Sequence, residues 1–180
     1  VPSKALIKSA NLAYKMKYAD RYGLTPASPD VRFKAVMTRV QAVVRQVAPH
    51  DSVERYTALG VDVVSGHATI INPWTVEITD AQGNKQTLTT RSIVIAAGAK
   101  PLVPPLPGLE AVGYLTSDTL WEAFAARDTL PQRIVVLGGG PIGCELTQAL
   151  ARLGAHVTQV EMGDRLLPRE DEAVSELTAK

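Results

Sequence analysis

The chain has 180 residues, 46% of them hydrophobic, and a formal net charge of +1. That near-neutral balance argues against a nucleic-acid or membrane-surface partner, and no apolar run approaches the roughly 20 residues that a membrane-spanning helix needs. The single cysteine, Cys144, excludes an internal disulfide framework and gives no support for a zinc site, so no metal centre is expected and a cytoplasmic setting is the default.

In chain order, residues 3–22 predict a helix with Ser3 as a possible N-cap, in which Ala5, Leu6, Leu12, Ala13 and Met16 can be buried while Lys8, Lys15 and Lys17 stay in solvent. Pro26 and Pro29 mark a loop. A longer helix is expected from about Val31 towards Leu59, with an apolar stripe of Phe33, Val36, Met37, Val40, Val44 and Val47, and Pro49 should kink or interrupt it. The period then changes. Residues 61–64, 68–71, 75–79, 86–90 and 92–97 read as short strands, with a hairpin turn at Asp80–Asn84 where Gly83 can take a positive φ. Residues 98–115 hold four prolines and predict an extended crossover. A short helix at about 118–127 follows, capped by Ser117 or Asp118 and anchored by Trp121 and Phe124.

Residues 133–161 carry the most information. Ile134 to Leu137 is a continuous apolar run, as expected of a parallel strand covered on both faces. Gly138, Gly140 and Gly143 then form a G-x-G-x-x-G sequence that opens a helix. This is the setting in which the first glycine permits a tight turn, the second lets a pyrophosphate approach the backbone, and the third lets helix and strand pack closely. Pro141 suits a first-turn position, and the free N–H groups of the helix start would face the phosphates. Ile142, Leu146, Ala149, Leu150 and Leu153 make a core-facing stripe, and Gly154 is a plausible C-cap. A second strand, residues 157–160, leads to Glu161, 23 positions after Gly138. An acid at about that distance accepts from the ribose hydroxyl of NAD and would repel the 2′-phosphate of NADP. NAD is therefore expected, bound by Gly138, Gly140, Pro141, Ile142, Gly143 and Glu161.

Four segments in this order resemble the pyridine nucleotide–disulfide oxidoreductases, in particular the mercuric reductase-like and dihydrolipoamide dehydrogenase-like branches, over essentially the whole chain. Val1-Pro2-Ser3-Lys4 is similar to the tail of the family's redox-cysteine motif. Gly66-His67-Ala68 with Thr75 to Ile78 resembles the segment whose backbone meets the FAD adenine. Ile93 to Ala99 with its Pro-rich exit resembles the flavin-contacting motif, and Gly138 to Glu145 the second nucleotide loop. The resemblance implies an α/β fold of the FAD/NAD(P)-binding Rossmann-like type: a doubly wound sheet with a small inserted antiparallel β-meander, incomplete at both ends. It also implies a division into a partial FAD domain, residues 1–115, and the first half of an NAD domain, residues 116–180. The parent protein would be a homodimeric flavoprotein that passes a hydride from nicotinamide to flavin and electrons on to a disulfide or related acceptor.

By the same resemblance Lys4 lies near the flavin and pairs with Glu145, where a cation stabilises the negative charge of reduced flavin. The FAD-binding residues would be Lys4, His67, Ala68, Ala97 and Gly98. Two departures accompany it. The redox cysteines would precede Val1, and Pro141 stands where several members place a tyrosine that covers the flavin. Cys144, on the nucleotide helix, reads as a small buried residue and not as a substitute for the redox pair. His50-Asp51-Ser52 matches a triad in composition only, and Arg165 and Arg169 read as solvated loop residues. A reading of a different class remains: a non-catalytic NAD-binding regulatory or sensor module, with no flavin contact and no role for Lys4.

Overall fold

The computed structural model describes all residues, Val1–Lys180. By compactness the chain divides into two units, Val1–Val47 with Val103–Lys180, and Ala48–Leu102. Each is described by itself.

In the first unit, α1 (Pro2–Lys17) begins with Val1 as N-cap and Pro2 at the first helical position, so Ser3 is inside the helix and does not cap it. A 3₁₀ turn, Ala19–Tyr22, closes on Gly23 in the left-handed region. Leu6, Ala10 and Ala13 are buried at i, i+4 and i+7, which sets one packing face. Leu12 is off that face and 62% exposed, and Met16 also stays at the surface, against expectation. Helix α2 (Phe33–Val47) buries Phe33, Met37 and Val40; the stripe fades beyond Val43, and Val44 is exposed.

Pro49 has the predicted effect. Helix α2 ends before it, a 3₁₀ turn spans Ala48–Asp51, and α3 (Val53–Ala58) starts afresh in the second unit with the Ser52 hydroxyl accepting from Arg55 N. That unit is otherwise an antiparallel meander of β1 (His67–Asn72), β2 (Thr75–Thr79) and β3 (Lys85–Thr89), with a register shift between Ile70 and Asn72. Asp80 Oδ1 accepts from the N–H groups of Gln82 and Asn84 and holds the hairpin, while Gly83 takes φ +86°. Residues 61–64 and 92–97 form no strands. A strand needs a neighbour for its backbone groups, and these apolar segments find none in this chain; Val94 and Ile95 are largely exposed.

The first unit resumes with one helical turn inside the Pro-rich crossover, α4 (Leu109–Val112), bounded by Gly108 and Gly113 at positive φ. Helix α5 (Leu120–Ala125) is capped by neither Ser117 nor Asp118. The Thr116 hydroxyl accepts from Asp118 N and Thr119 N instead, and Ser117 offers its carbonyl to the Trp121 indole N–H. Phe124 packs edge-on to Phe33, with ring centroids 5.5 Å apart. Strand β4 (Arg133–Leu137), α6 (Pro141–Arg152) and β5 (His156–Val160) complete a βαβ unit with β4 and β5 parallel in register from Arg133–His156 to Leu137–Val160. A further helix, α7 (Glu172–Ala179), follows. One apolar core joins α1, α2, α5, α6 and the start of β5. The sheet is covered on one face only: Val135 and Leu137 are exposed, where coverage on both faces was expected, because nothing in this chain packs on that side.

Phe124→Ala removes the ring that links α5 to α2. It should cost about 3–5 kcal/mol in chemical unfolding, whereas Leu12→Ala, at an exposed site, should change stability by no more than about 0.5 kcal/mol.

Candidate dinucleotide site

The turn between β4 and α6 is fixed from several sides. Gly138 takes φ +108°, a conformation closed to most side chains, and its N–H continues the sheet by donating to Val160 O at 2.8 Å. Gln159 Nε2 donates to Gly138 O at 2.9 Å. Gly139 O accepts from Leu167 N at 2.8 Å and from the Cys144 thiol at 3.4 Å. Cys144 is thus a half-buried donor to the loop, more engaged than a plain packing residue.

Gly143 is a steric requirement. A Cβ there would lie 2.2 Å from Gly138 O, a backbone atom that cannot step aside. Gly140 is the opposite case: a Cβ would meet nothing within 4 Å, so the space above it is open. Cys144 N bonds Gly140 O, while the N–H groups of Gly140, Ile142 and Gly143 make no backbone hydrogen bond. An open glycine surrounded by unpaired helix-start N–H groups fits a pyrophosphate. Pro141 holds the first helical position, as expected. Ile142 does not face the core; it is 61% exposed, because the first turn lies over side-chain-free glycines and the buried stripe begins only at Leu146.

Glu161 leaves β5 and turns back onto the loop. One carboxylate oxygen accepts from Gly139 N, and the other accepts from Gly163 N at 2.8 Å. These backbone donors, Gly163 first, hold its carboxyl below the usual carboxylate range. Each oxygen keeps a lone pair free for a ribose hydroxyl. Beyond it lies a cavity of about 350 Å³ between the loop and α7, lined by Glu161, Asp164, Glu172 and Glu176, with Arg165 the cation among them. The Arg165 guanidinium donates to Pro168 O. Leu167 adopts φ +50°, and the buried Ser175 hydroxyl holds Leu166 O, so this return segment is pinned at both ends.

Lys4, near the start of α1, places Nζ 2.5 Å from Glu145 Oε1 on α6. In the second unit, His67 and Ala68 pair with Thr79 and Ile78 across β1 and β2. Gly66 just before them could not carry a Cβ, which would lie 2.6 Å from Thr79 O. Ala97 and Gly98 are exposed and outside any strand, with Gly98 at φ +69°. Sequence reasoning missed Gln159, Leu167 and Ser175. Only their contacts reveal them, since a polar residue on a strand and a leucine in a loop carry no local signal.

The chain matches the family described as Pyridine nucleotide-disulphide oxidoreductase over residues 1–180. It belongs to that family. Among characterised relatives it is 36% identical to a dihydrolipoyl dehydrogenase of Bacillus subtilis, covering 97% of this chain and 38% of the relative. It is 31% identical to a mercuric reductase of Lysinibacillus sphaericus, covering 100% of this chain and 31% of the relative. Among solved structures, LpdA from Mycobacterium tuberculosis superposes with a TM-score of 0.71 at 27% identity, over 99% of this chain and 39% of that one. The chain therefore spans about a third of the length of these relatives. A copper(II) complex of the HOCl-induced flavoprotein disulfide reductase RclA from Escherichia coli shares the fold at 24% identity, with a TM-score of 0.70 and coverage of 99% and 35%. The fold is that of the FAD/NAD-binding domains of this family, whose members use FAD and NAD(P).

Gly143→Ala must push α6 off the turn, at a cost on the order of 1–3 kcal/mol in unfolding, and it should reduce NAD⁺ affinity measured by calorimetry at least tenfold. Glu161 makes a second, pH-dependent prediction. Its carboxyl titrates below the ordinary 4.5 when folded, so its stabilising contribution is complete above that value and is lost as pH falls through the lowered one. Thermal melts of the native chain and Glu161→Gln should differ most above about pH 5 and converge in acid; a gap that widens in acid would contradict the assignment.

Proposed function

We propose that this chain is part of an FAD-dependent, NADH-linked oxidoreductase that delivers electrons from nicotinamide, by way of flavin, to a disulfide or related acceptor. Residues 1–115 would contribute to the FAD domain and 116–180 to the NAD domain of a cytoplasmic homodimer. FAD, when bound, supplies the two-electron carrier between nicotinamide and acceptor.

The observation that carries this reading is the Lys4–Glu145 pair. Its side chains are 70% and 39% exposed, so its contribution to stability is at most about 1 kcal/mol. Its value is positional. It holds a cation at the start of α1 beside the first turns of the nucleotide helix, where a cation favours the anionic form of a reduced flavin. The proposed FAD contacts are Lys4 in the first unit and, separately, His67, Ala68, Ala97 and Gly98 in the second. Gly138, Gly140, Pro141, Ile142 and Gly143 would seat the dinucleotide phosphates, and Glu161 the ribose. The carboxylates of Asp164, Glu172 and Glu176 around the neighbouring cavity support NADH, since a 2′-phosphate would enter a field of like charge.

The 180-residue chain by itself should show no NADH-dependent dye reduction; robust turnover would contradict the proposal that further segments are needed. In the full-length protein that carries this chain, Lys4→Ala should slow flavin reduction by NADH by roughly 10²-fold, the scale of losing one preorganised electrostatic group. A stopped-flow rate equal to that of the native protein would favour the non-catalytic NAD-binding module instead.

A further inference from the structure

Two parallel helices can slip past each other by a turn, about 5.4 Å, while keeping much of their apolar contact. Directional contacts outside the core can add to the packing that fixes their register. Here Lys4 meets Glu145, and seven residues further along both helices Arg152 Nη1 donates to Asn11 Oδ1. Both pairs bridge the same interval of 141 residues. Seven residues make about two turns, so each helix presents both partners on one face. The equal interval means that α1 and α6 run parallel, with two rungs at matching levels.

The two rungs differ in kind. The Lys4–Glu145 rung joins exposed, flexible side chains. Arg152 is half-buried, and its guanidinium also lies 4.3 Å from the centroid of the Tyr14 ring, three residues past Asn11. It forms no ion pair with a carboxylate. Its planar fork is therefore held by an acceptor on one side and an aromatic face on the other, a geometry a lysine cannot fully reproduce. It sits in the last turn of α6, where a cation also meets the free carbonyls of the helix end.

We propose that Arg152, held by Asn11 and Tyr14, is a positioning residue that fixes the axial register of α1 against α6 and so places Lys4 beside the nucleotide loop. A single rung would allow the helices to pivot about it. Two rungs, about 10 Å apart along the axes, allow neither slip nor splay. With the Arg152 rung lost, only the Lys4–Glu145 pair remains, and its exposed, flexible side chains are too weak a link to hold the register by themselves. This rests on the role given above to Lys4.

The test uses the full-length protein with Arg152→Met, Arg152→Lys and Asn11→Leu, each read in two ways. The first is the distance distribution between spin labels at Leu12 and Ala151, which needs no cofactor turnover. It should be narrow in the native protein, broad or shifted in Arg152→Met and Asn11→Leu, and only partly restored in Arg152→Lys. The second is flavin reduction at saturating NADH, which should fall roughly tenfold, the scale of a sub-ångström misplacement, with the NAD⁺ dissociation constant within twofold of native. Asn11→Leu leaves the arginine in place and serves if Arg152→Met does not fold. A lower melting temperature with native label distances and native reduction rate would overturn the proposal. Altered distances with an unaltered rate, in a protein where Lys4→Ala is also silent, would uphold the register clamp and overturn the catalytic reading of Lys4.

Discussion

The closeness of α6 to the end of β4 governs the geometry of the first unit. At Gly143 the helix comes so near the turn that a single methyl group would lie 2.2 Å from the Gly138 carbonyl oxygen. That proximity brings the first-turn N–H groups to the mouth of the parallel strand pair and leaves the space over Gly140 open. It also sets where the rest of α6 lies. Leu150 and Leu153 reach the core shared with α1 and α2, and Glu145 and Arg152 reach α1 itself. A side chain at Gly143 would therefore disturb the glycine loop, a core and two polar rungs together.

Apolar burial and polar contacts divide the work between them. The core of Leu6, Phe33, Met37, Phe124 and Leu150 supplies cohesion, at roughly 1.5–3 kcal/mol for each large side chain fully removed from water. Such contacts are non-directional and say little about register. The polar contacts are individually weak. The Lys4–Glu145 pair is exposed, and the Glu161 carboxylate spends its bonds on loop N–H groups. They are directional, however, and each joins an element to the glycine loop or to α6. Under the proposed function, rate would depend on placing donor and acceptor to within an ångström, and weak directional contacts would then matter more than their energies suggest.

The βαβ unit was legible because its demands are local. A turn at positive φ, a close helix approach and an acid at a strand end each require a residue type at a fixed spacing. Pro49 and the Asp80–Asn84 hairpin were legible for the same reason. The errors arose where the answer depends on what packs alongside. Residues 61–64 and 92–97 have strand composition but no neighbour in this chain, and Val135, Leu137 and Ile142 are apolar but uncovered. Arg152, Asn11 and Gln159 were invisible for a related reason, since a polar residue gains meaning only from a partner distant in sequence. The glycine loop's structural requirements could be read in advance, and the side chains that brace it could not.

In Glu161 the bracing of the loop and the recognition proposed for it fall on one group. A free carboxylate at a strand end would have to be ordered by the ligand that binds it, at the expense of side-chain entropy. Here Gly139 N and Gly163 N order it beforehand and favour its ionised form. On the proposed function, a ribose hydroxyl would meet an acceptor already in place, while the N–H of Gly139 is satisfied by the same carboxylate. The side chain proposed to select the ribose thus maintains the loop proposed to hold the phosphates, which would couple the two halves of such a site through a single carboxylate.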